Sequence, residues 1–129
     1  MEQEKQSLLR FLEGLSQDDG LAVSWRNNTD CCTWEGITCG LDGAVTELLL
    51  ASRGLEGHIS SSLIELTSLS RLNLSYNSLT GGLPSELISS GSIVVVDVSF
   101  NRLDGELQEL SSSSSDRPLQ FQLTILCCA

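Results

Sequence analysis

The chain has 129 residues, enough for one domain; 40% are hydrophobic but only 5% are aromatic, so its core must be aliphatic. Seven basic residues against seventeen acidic ones give a net charge of −10, which opposes binding to nucleic acid or anionic lipid. No run of about 18 apolar residues is present, so the sequence predicts no membrane span.

The first segment predicts an amphipathic helix. Residues 7–15 read SLLRFLEGL, and helical spacing places five apolar side chains on one face: Leu8, Leu9, Phe11, Leu12 and Leu15. Glu2 and Glu4 suit a first helical turn, and Gly20 is the expected stop. The opening MEQEKQ is charged and does not resemble a secretory leader, although five cysteines in a small chain favour an oxidising compartment.

The stretch CCTWEGITC at residues 31–39 contains three cysteines, which raises three alternatives: a metal site, a redox centre or a disulfide. Structural zinc takes Cys and His ligands in paired spacings, but the nearest histidine, His58, lies nineteen residues beyond Cys39. We therefore expect no metal. A redox C-x-x-C is absent from the sequence. The residues alone do not assign the cysteine pairs.

Three segments of 24 residues follow and align without a gap, opening at Val45, Leu69 and Ile93. Leucine or valine fills positions four and six of each segment, leucine fills position eleven, glycine fills position thirteen, and isoleucine or leucine fills position fifteen. Positions four and six point to the same side of a short strand. One such coil cannot bury its apolar side alone, whereas stacked coils bury each other's.

Three further expectations depend on this repeat. The glycine at position thirteen suits a positive φ or a close approach of backbone. The amides of Asn77 and Asn101, at position nine, are expected to bind backbone groups of adjacent coils. The amino-terminal helix, together with Trp25 and Trp34, is expected to cover the open face of the first coil, and a surface helix is the alternative.

Residues 69–84 read LSRLNLSYNSLTGGLP and resemble the plant-type extracellular leucine-rich repeat. Residues 2–39, with SLLRFL, LAVSW and CCTWEGITC, are similar to the amino-terminal cap of the same family. The resemblance is strongest to the start of the ectodomains of receptor-like proteins and of receptor kinases of the phytosulfokine and sulfated-tyrosine-peptide type. It implies an α/β repeat fold, a leucine-rich-repeat solenoid with a helical cap and short parallel strands on the concave face.

On this basis we divide the chain into four parts. Residues 1–41 form the cap, and residues 42–110 hold three repeats with the frames 45–68, 69–92 and 93–116. Residues 111–118 form a serine-rich loop, and residues 119–129 are a degenerate fourth repeat or a foreign tail. Within that tail, apolar alternation at Leu119, Phe121 and Leu123 predicts the first strand of a fourth repeat.

The resemblance also implies the pairing of the cysteines. It implies a disulfide between Cys32 and Cys39, and it leaves Cys31 unpaired, because the usual partner of Cys31 lies upstream of the helix. Together with the missing leader, this favours a chain that begins downstream of its natural start. The adjacent Cys127 and Cys128 cannot easily bridge each other.

Nothing in the sequence predicts catalysis. His58 has no nucleophile placed by a motif, and the carboxylate pairs Asp18–Asp19 and Glu106–Glu109 fall on predicted surface segments. We expect no cofactor. The resemblance implies a non-catalytic recognition module from a truncated receptor ectodomain, at the extracellular face of the plasma membrane or secreted, with a peptide or protein ligand and a co-receptor. The alternatives are a small free-standing secreted protein (an enzyme inhibitor, decoy or co-receptor) or a non-functional truncated product.

A ligand is expected on the outward positions three, five, seven and eight of each repeat. The candidate contacts are Glu47, Leu49, Arg71, Asn73, Tyr76, Val95, Asp97 and Phe100. The remaining outward positions are Ala51, Ser52, Ser75 and Ser99. Two glycosylation sequons, Asn27 in NNT and Asn73 in NLS, are relevant if the chain is secreted.

Overall fold

The computed structural model describes residues 2–89 and 92–104, and the backbone of residues 124–127. The cap begins with helix α1, strand β1 and the short helix α2, and continues with a 3₁₀ turn and strand β2. Their bounds are Glu2–Glu13, Leu15–Gln17, Leu21–Ser24, Cys31–Thr33 and Ile37–Cys39, in that order.

Helix α1 ends earlier than the apolar spacing predicts. It stops at Glu13, and the following Gly14 donates its backbone N–H to the Phe11 carbonyl at 3.1 Å. The expectations that Leu15 lies on the helix and that Gly20 stops it are therefore wrong. Leu15 begins β1 and is partly buried against the core, and Gly20, with φ 85°, precedes α2. Gly14 ends the helix although the apolar pattern continues beyond it.

The coils contribute strands to two sheets. The first-sheet strands β3, β5 and β7 are Val45–Leu49, Arg71–Asn73 and Val95–Val98. The second-sheet strands β4, β6 and β8 are Glu56–His58, Ser78–Gly81 and Arg102–Leu103. A 3₁₀ turn at Ser61–Glu65 and helix α3 at Ser85–Ser89 return the chain from the second sheet to the first.

Strand pairing follows the 24-residue repeat. Glu47 pairs with Arg71 and Arg71 with Val95 in parallel register, so equivalent positions lie side by side. The cap closes one edge of each sheet with an antiparallel strand, because β2 pairs with β3 and β1 pairs with β4. The strand orders are β2-β3-β5-β7-β9 in the first sheet and β1-β4-β6-β8 in the second, where β9 is Thr124–Cys127.

A fourth strand, β9, continues the first sheet, but its register departs from the 24-residue repeat. In β9, Ile125 pairs with Val96, which is 29 residues earlier (125 − 96) rather than 24. The predicted alternation at Leu119, Phe121 and Leu123 lies outside the described residues, as do the serine-rich loop at 111–118 and Gly105.

Leucine and valine side chains from successive coils fill the interior. The position-four and position-six residues Leu48, Leu72, Val96, Leu50, Leu74 and Val98 are all at most 1% exposed. Leu55, Leu79, Ile59 and Leu83 are buried beneath the second sheet and its following turns, and Leu103 is partly buried. The prediction that stacked coils bury one another's aliphatic side chains is confirmed, and each buried leucine contributes about 1.5–3 kcal/mol.

The cap covers the first coil with aromatic side chains, as predicted. Trp25 stacks on Trp34 with ring centroids 5.3 Å apart, and Phe11 packs against Trp25 at 6.2 Å. All three are at most 2% exposed. The buried Glu4 of α1 accepts a hydrogen bond from the backbone N–H of Val45 at 3.0 Å, so the helix also satisfies a polar group of the first strand.

Candidate functional site

The first sheet presents a surface of mixed chemistry on the side away from the core. We call it the outer sheet face, and it consists of the outward side chains Glu47, Leu49, Arg71, Asn73, Val95 and Asp97. Each alternates along its strand with a buried residue of position four or six, which is why the sequence pattern could place it. Leu49 is 41% exposed although it is apolar.

Parallel register arranges these side chains in two rows across the strands. The position-three row is Glu47, Arg71 and Val95, and the position-five row is Leu49, Asn73 and Asp97. In the first row, the Arg71 guanidinium lies 3.6 Å from the Glu47 carboxylate. The pair is solvent-accessible, so it contributes at most about 1 kcal/mol to stability. It does, however, neutralise both charges locally.

The second row contains two matched turns. Asn73 Oδ1 accepts hydrogen bonds from Ser75 N and Ser75 Oγ, at 3.0 and 2.7 Å. One coil later, Asp97 Oδ1 accepts the same two bonds from Ser99, at 3.1 and 2.6 Å. These bonds draw the serines inward, and Ser75 is only 4% exposed. The expectation that position seven faces outward is thus wrong for Ser75.

Two aromatic rings project from the loops that leave β5 and β7. Tyr76 and Phe100, which we call the aromatic pair, stack with centroids 4.3 Å apart and planes 11° apart. Tyr76 is 57% exposed and Phe100 is 46% exposed. The stack therefore leaves apolar ring surface in contact with water.

The backbone at position eight was not foreseen from the sequence. Ser52, Tyr76 and Phe100 have φ angles of 58°, 59° and 59°, a left-handed conformation that is uncommon for an aromatic residue. The Ser52 and Tyr76 backbone N–H groups each donate to a position-seven carbonyl of the next coil, at 3.0 Å. No single residue type signals this conformation, because it is fixed by contact between coils.

Asparagine side chains support the surface from beneath. Asn77 Oδ1 accepts hydrogen bonds from the backbone N–H groups of Arg53 and Leu55, both at 3.0 Å. Asn77 Nδ2 donates to three carbonyls, those of Leu50, Leu74 and Ser75. Asn101 repeats the arrangement one coil later, accepting from Leu79 N and donating to the carbonyls of Leu74, Val98 and Ser99.

The disulfide of the cap joins Cys32 to Cys39, as the resemblance implied. It ties the 3₁₀ turn to β2, the strand that borders the first coil. Cys31 has a free, buried thiol, and burial raises its pKa. Asp30, Cys31 and Cys32 bring possible ligand atoms within 4.8 Å of one another. However, the Cys32 sulfur is already bonded to Cys39, so the group cannot act as three metal ligands in this state.

The two sequons lie in different surroundings. Asn27 is exposed in a turn of the cap, between α2 and the 3₁₀ turn, and Lys5 Nζ donates to its backbone carbonyl at 2.9 Å. Asn73 lies in β5, in the middle of the outer sheet face. The hydroxyl of Ser75, the third residue of its sequon, is held by the Asn73 side chain itself.

The residues considered for catalysis are dispersed. His58 is exposed at the end of β4 in the second sheet, and Asp18 accepts a hydrogen bond from Gly20 N in the cap. Glu106 and Glu109 lie outside the residues that the structure describes. In the described parts of the chain, no helix combines the length and the hydropathy needed to cross a bilayer.

Comparison with known proteins identifies the architecture. The family described as "Leucine rich repeat N-terminal domain" matches residues 1–40, and "Leucine Rich Repeat" matches residues 68–90. Phytosulfokine receptor 2 of Arabidopsis thaliana is 46% identical over 74 residues, and Receptor-like protein 3 of the same plant is 43% identical over 77 residues. The fold is therefore a leucine-rich-repeat solenoid, and its amino-terminal part is similar to those of these plant receptors.

The matches cover a small part of the relatives. They span 55% and 58% of this leucine-rich-repeat chain, but only 7% of Phytosulfokine receptor 2 and 10% of Receptor-like protein 3. Among solved structures, the Arabidopsis receptor kinase HAESA, in complex with the peptide hormone IDA and the co-receptor SERK1, superposes with a TM-score of 0.72 at 30% identity. That match covers 80% of this chain and 18% of HAESA.

Proposed function

We propose that this chain is a non-catalytic recognition module of the kind found in plant leucine-rich-repeat receptor-like proteins and receptor kinases, and that it binds a peptide or protein ligand outside the cell. The disulfide between Cys32 and Cys39 supports an oxidising, extracellular location. A co-receptor is a second class of partner, by analogy with the complex of HAESA, IDA and SERK1.

The observation that carries the proposal is the exposed aromatic pair at the edge of the outer sheet face. Its two rings, Tyr76 and Phe100, are about half exposed and stack on each other, and the Tyr76 backbone N–H is bonded to the Ser99 carbonyl. Rigid aromatic side chains next to polar and charged groups are typical of the residues that dominate binding energy at protein interfaces. A ligand would gain affinity there without ordering the surface first.

A selection experiment tests the proposal. The chain is secreted from an oxidising host, immobilised and exposed to a random-peptide display library, and the selected peptides are synthesised and titrated calorimetrically. We expect Tyr76→Ala and Phe100→Ala to weaken binding roughly tenfold or more. The control is Val23→Ala, which removes an apolar side chain that is 70% exposed on the cap, and it should leave Kd unchanged. Equal Kd values for all three variants, or no selected peptide, would contradict the proposal.

We also propose Asn27 and Asn73 as glycan acceptors in the secreted chain. A glycan on Asn27 would lie on the cap, whereas a glycan on Asn73 would project from β5 over the outer sheet face. The form modified at Asn73 should therefore bind the selected peptides weakly. Glycopeptide mass spectrometry of chain secreted from plant cells measures the occupancy of each site, and an unmodified Asn27 would argue against this assignment.

A further inference from the structure

Resting on the proposed function, we infer that the outer sheet face takes a cationic peptide segment, in which one lysine or arginine side chain pairs with Asp97 and a second basic side chain lies on the open face of Tyr76. Three features point to this class of ligand: a carboxylate without a cation among the described residues, an open aromatic ring face, and the net charge of the full sequence.

Asp97 is the uncompensated charge of the outer sheet face. Glu47 and Arg71 neutralise each other at 3.6 Å, and Leu49, Asn73 and Val95 carry no charge. Within the described ranges, the Asp97 carboxylate has no ion-pair partner. Its Oδ1 is fixed by both hydrogen bonds from Ser99, so the orientation of the carboxylate is set before a ligand arrives. A fixed, unpaired carboxylate attracts an ammonium or a guanidinium group.

The aromatic pair offers a second contact, for another basic side chain of the same segment. Phe100 follows Asp97 by three residues and covers only one face of the Tyr76 ring. The other face is on the side of the first coil, where the same repeat position holds Ser52, a side chain too small to cover a ring. The face of an aromatic ring attracts cations, and a planar guanidinium can also stack on it.

The net charge of the chain also favours a cationic ligand. A net charge of −10 draws a basic segment toward the protein and repels an acidic one. An anionic ligand would have to displace Glu47 from Arg71 and would meet Asp97 on the neighbouring coil. The surface therefore discriminates between peptides by the sign of their charge.

The equivalent turn at Asn73 shows which substitution of Asp97 is conservative. Asn73 makes with Ser75 the same two hydrogen bonds that Asp97 makes with Ser99. Asp97→Asn should therefore keep the local structure while it removes the charge. Glu86→Gln is the matched control, because it removes one negative charge from an exposed position on α3. Circular dichroism verifies that both variants are folded.

The peptides selected against the wild-type chain are the probe. We expect them to carry a net positive charge, and we expect Asp97→Asn to weaken their binding about tenfold while Glu86→Gln leaves Kd unchanged. Added NaCl should weaken binding to the wild type more than to Asp97→Asn. Neutral or anionic peptides that still require Tyr76 and Phe100 would overturn this inference and leave the proposed function intact. Peptides indifferent to Tyr76 and Phe100 would overturn both.

Discussion

Asn77 illustrates how one side chain can hold an irregular stretch of backbone. After β5 the chain no longer pairs as a strand, so several backbone groups would be buried without partners. The Asn77 amide provides both acceptor and donor bonds to them, and it reaches Arg53 N and Leu55 N in the preceding coil. A single amide therefore links neighbouring coils as well as closing its own turn.

Replacing this amide should be costly. We expect Asn77→Ala to lower the free energy of unfolding by about 2–4 kcal/mol, because it leaves buried N–H and carbonyl groups without partners. Asn101→Ala should cost less, because Asn101 is only half-buried and accepts a described hydrogen bond from one backbone N–H, that of Leu79. Urea unfolding measures both values. Equal losses, or a loss below about 0.5 kcal/mol for Asn77→Ala, would contradict the role assigned to this amide.

Cys31 gives a prediction about pH. Burial raises its pKa above the ordinary value of 9.0, so at high pH the unfolded state releases a proton that the folded state retains. The stability of the folded chain should therefore fall as the pH rises past about 9. The measurement is the free energy of unfolding of wild type and Cys31→Ala as a function of pH. In Cys31→Ala, the decrease in stability that comes from the thiol should be absent. Parallel plots of the free energy of unfolding against pH for the two proteins would show that the buried thiol does not contribute.

At the scale of elements, Gly57 explains how the cap joins the second sheet. Its φ is 123°, and a Cβ built on it would overlap the Gly14 carbonyl oxygen and lie 2.7 Å from Leu15 Cα. Strand β1 thus approaches β4 too closely for any side chain at this position. Gly81, at the same repeat position, has φ 80° but no neighbouring backbone so near.

A matched pair of glycine substitutions tests this contact. Gly57→Ala should destabilise the chain by about 2 kcal/mol or more, through both its positive φ and the overlap with β1. Gly82→Ala should change stability by less than about 1 kcal/mol, because a methyl group there would have no neighbouring atom within 4 Å and the φ of Gly82 is not positive. Thermal unfolding of both variants gives the comparison. A similar Tm for the two would mean that β1 does not pack against β4 as described.

The sequence predicts one sheet well and the other not at all. Strands β3, β5 and β7 alternate buried and outward residues, so their spacing of two and their repeat of 24 are visible directly. Strands β4 and β6, with the sequences EGH and SLTG, contain glycine and polar residues that are not typical of strands. Strands β4, β6 and β8 form because adjacent coils place their backbones side by side. The residue pattern within one coil cannot predict strand pairing that depends on contact between coils.

The candidate site was partly predictable for the same reason. Alternation identified the outward residues Arg71, Asn73 and Asp97, because each neighbours a buried leucine or valine. It failed at Ser75, whose position depends on a hydrogen bond to Asn73, and it gave no sign of the left-handed backbone at Tyr76. These features follow from contacts made only once the coils are stacked.

At the scale of the whole molecule, the described residues form a solenoid whose first coil is covered by the cap. Each coil shelters the apolar side chains of the next, while α1 and the two tryptophans cover the first coil. This arrangement builds the core from leucine and valine side chains and leaves the polar side chains of the outer sheet face outside it.

The proposed function depends on ligand recognition by the outer sheet face and the aromatic pair. Chemical-shift mapping of the ¹⁵N-labelled chain, titrated with a selected peptide, tests this claim most directly. We expect the largest shifts at the backbone amides of β5 and β7 and at Tyr76 and Phe100, while the amides of α1 and α3 stay unchanged. Shifts confined to the cap or to α3, with the aromatic pair unaffected, would contradict it.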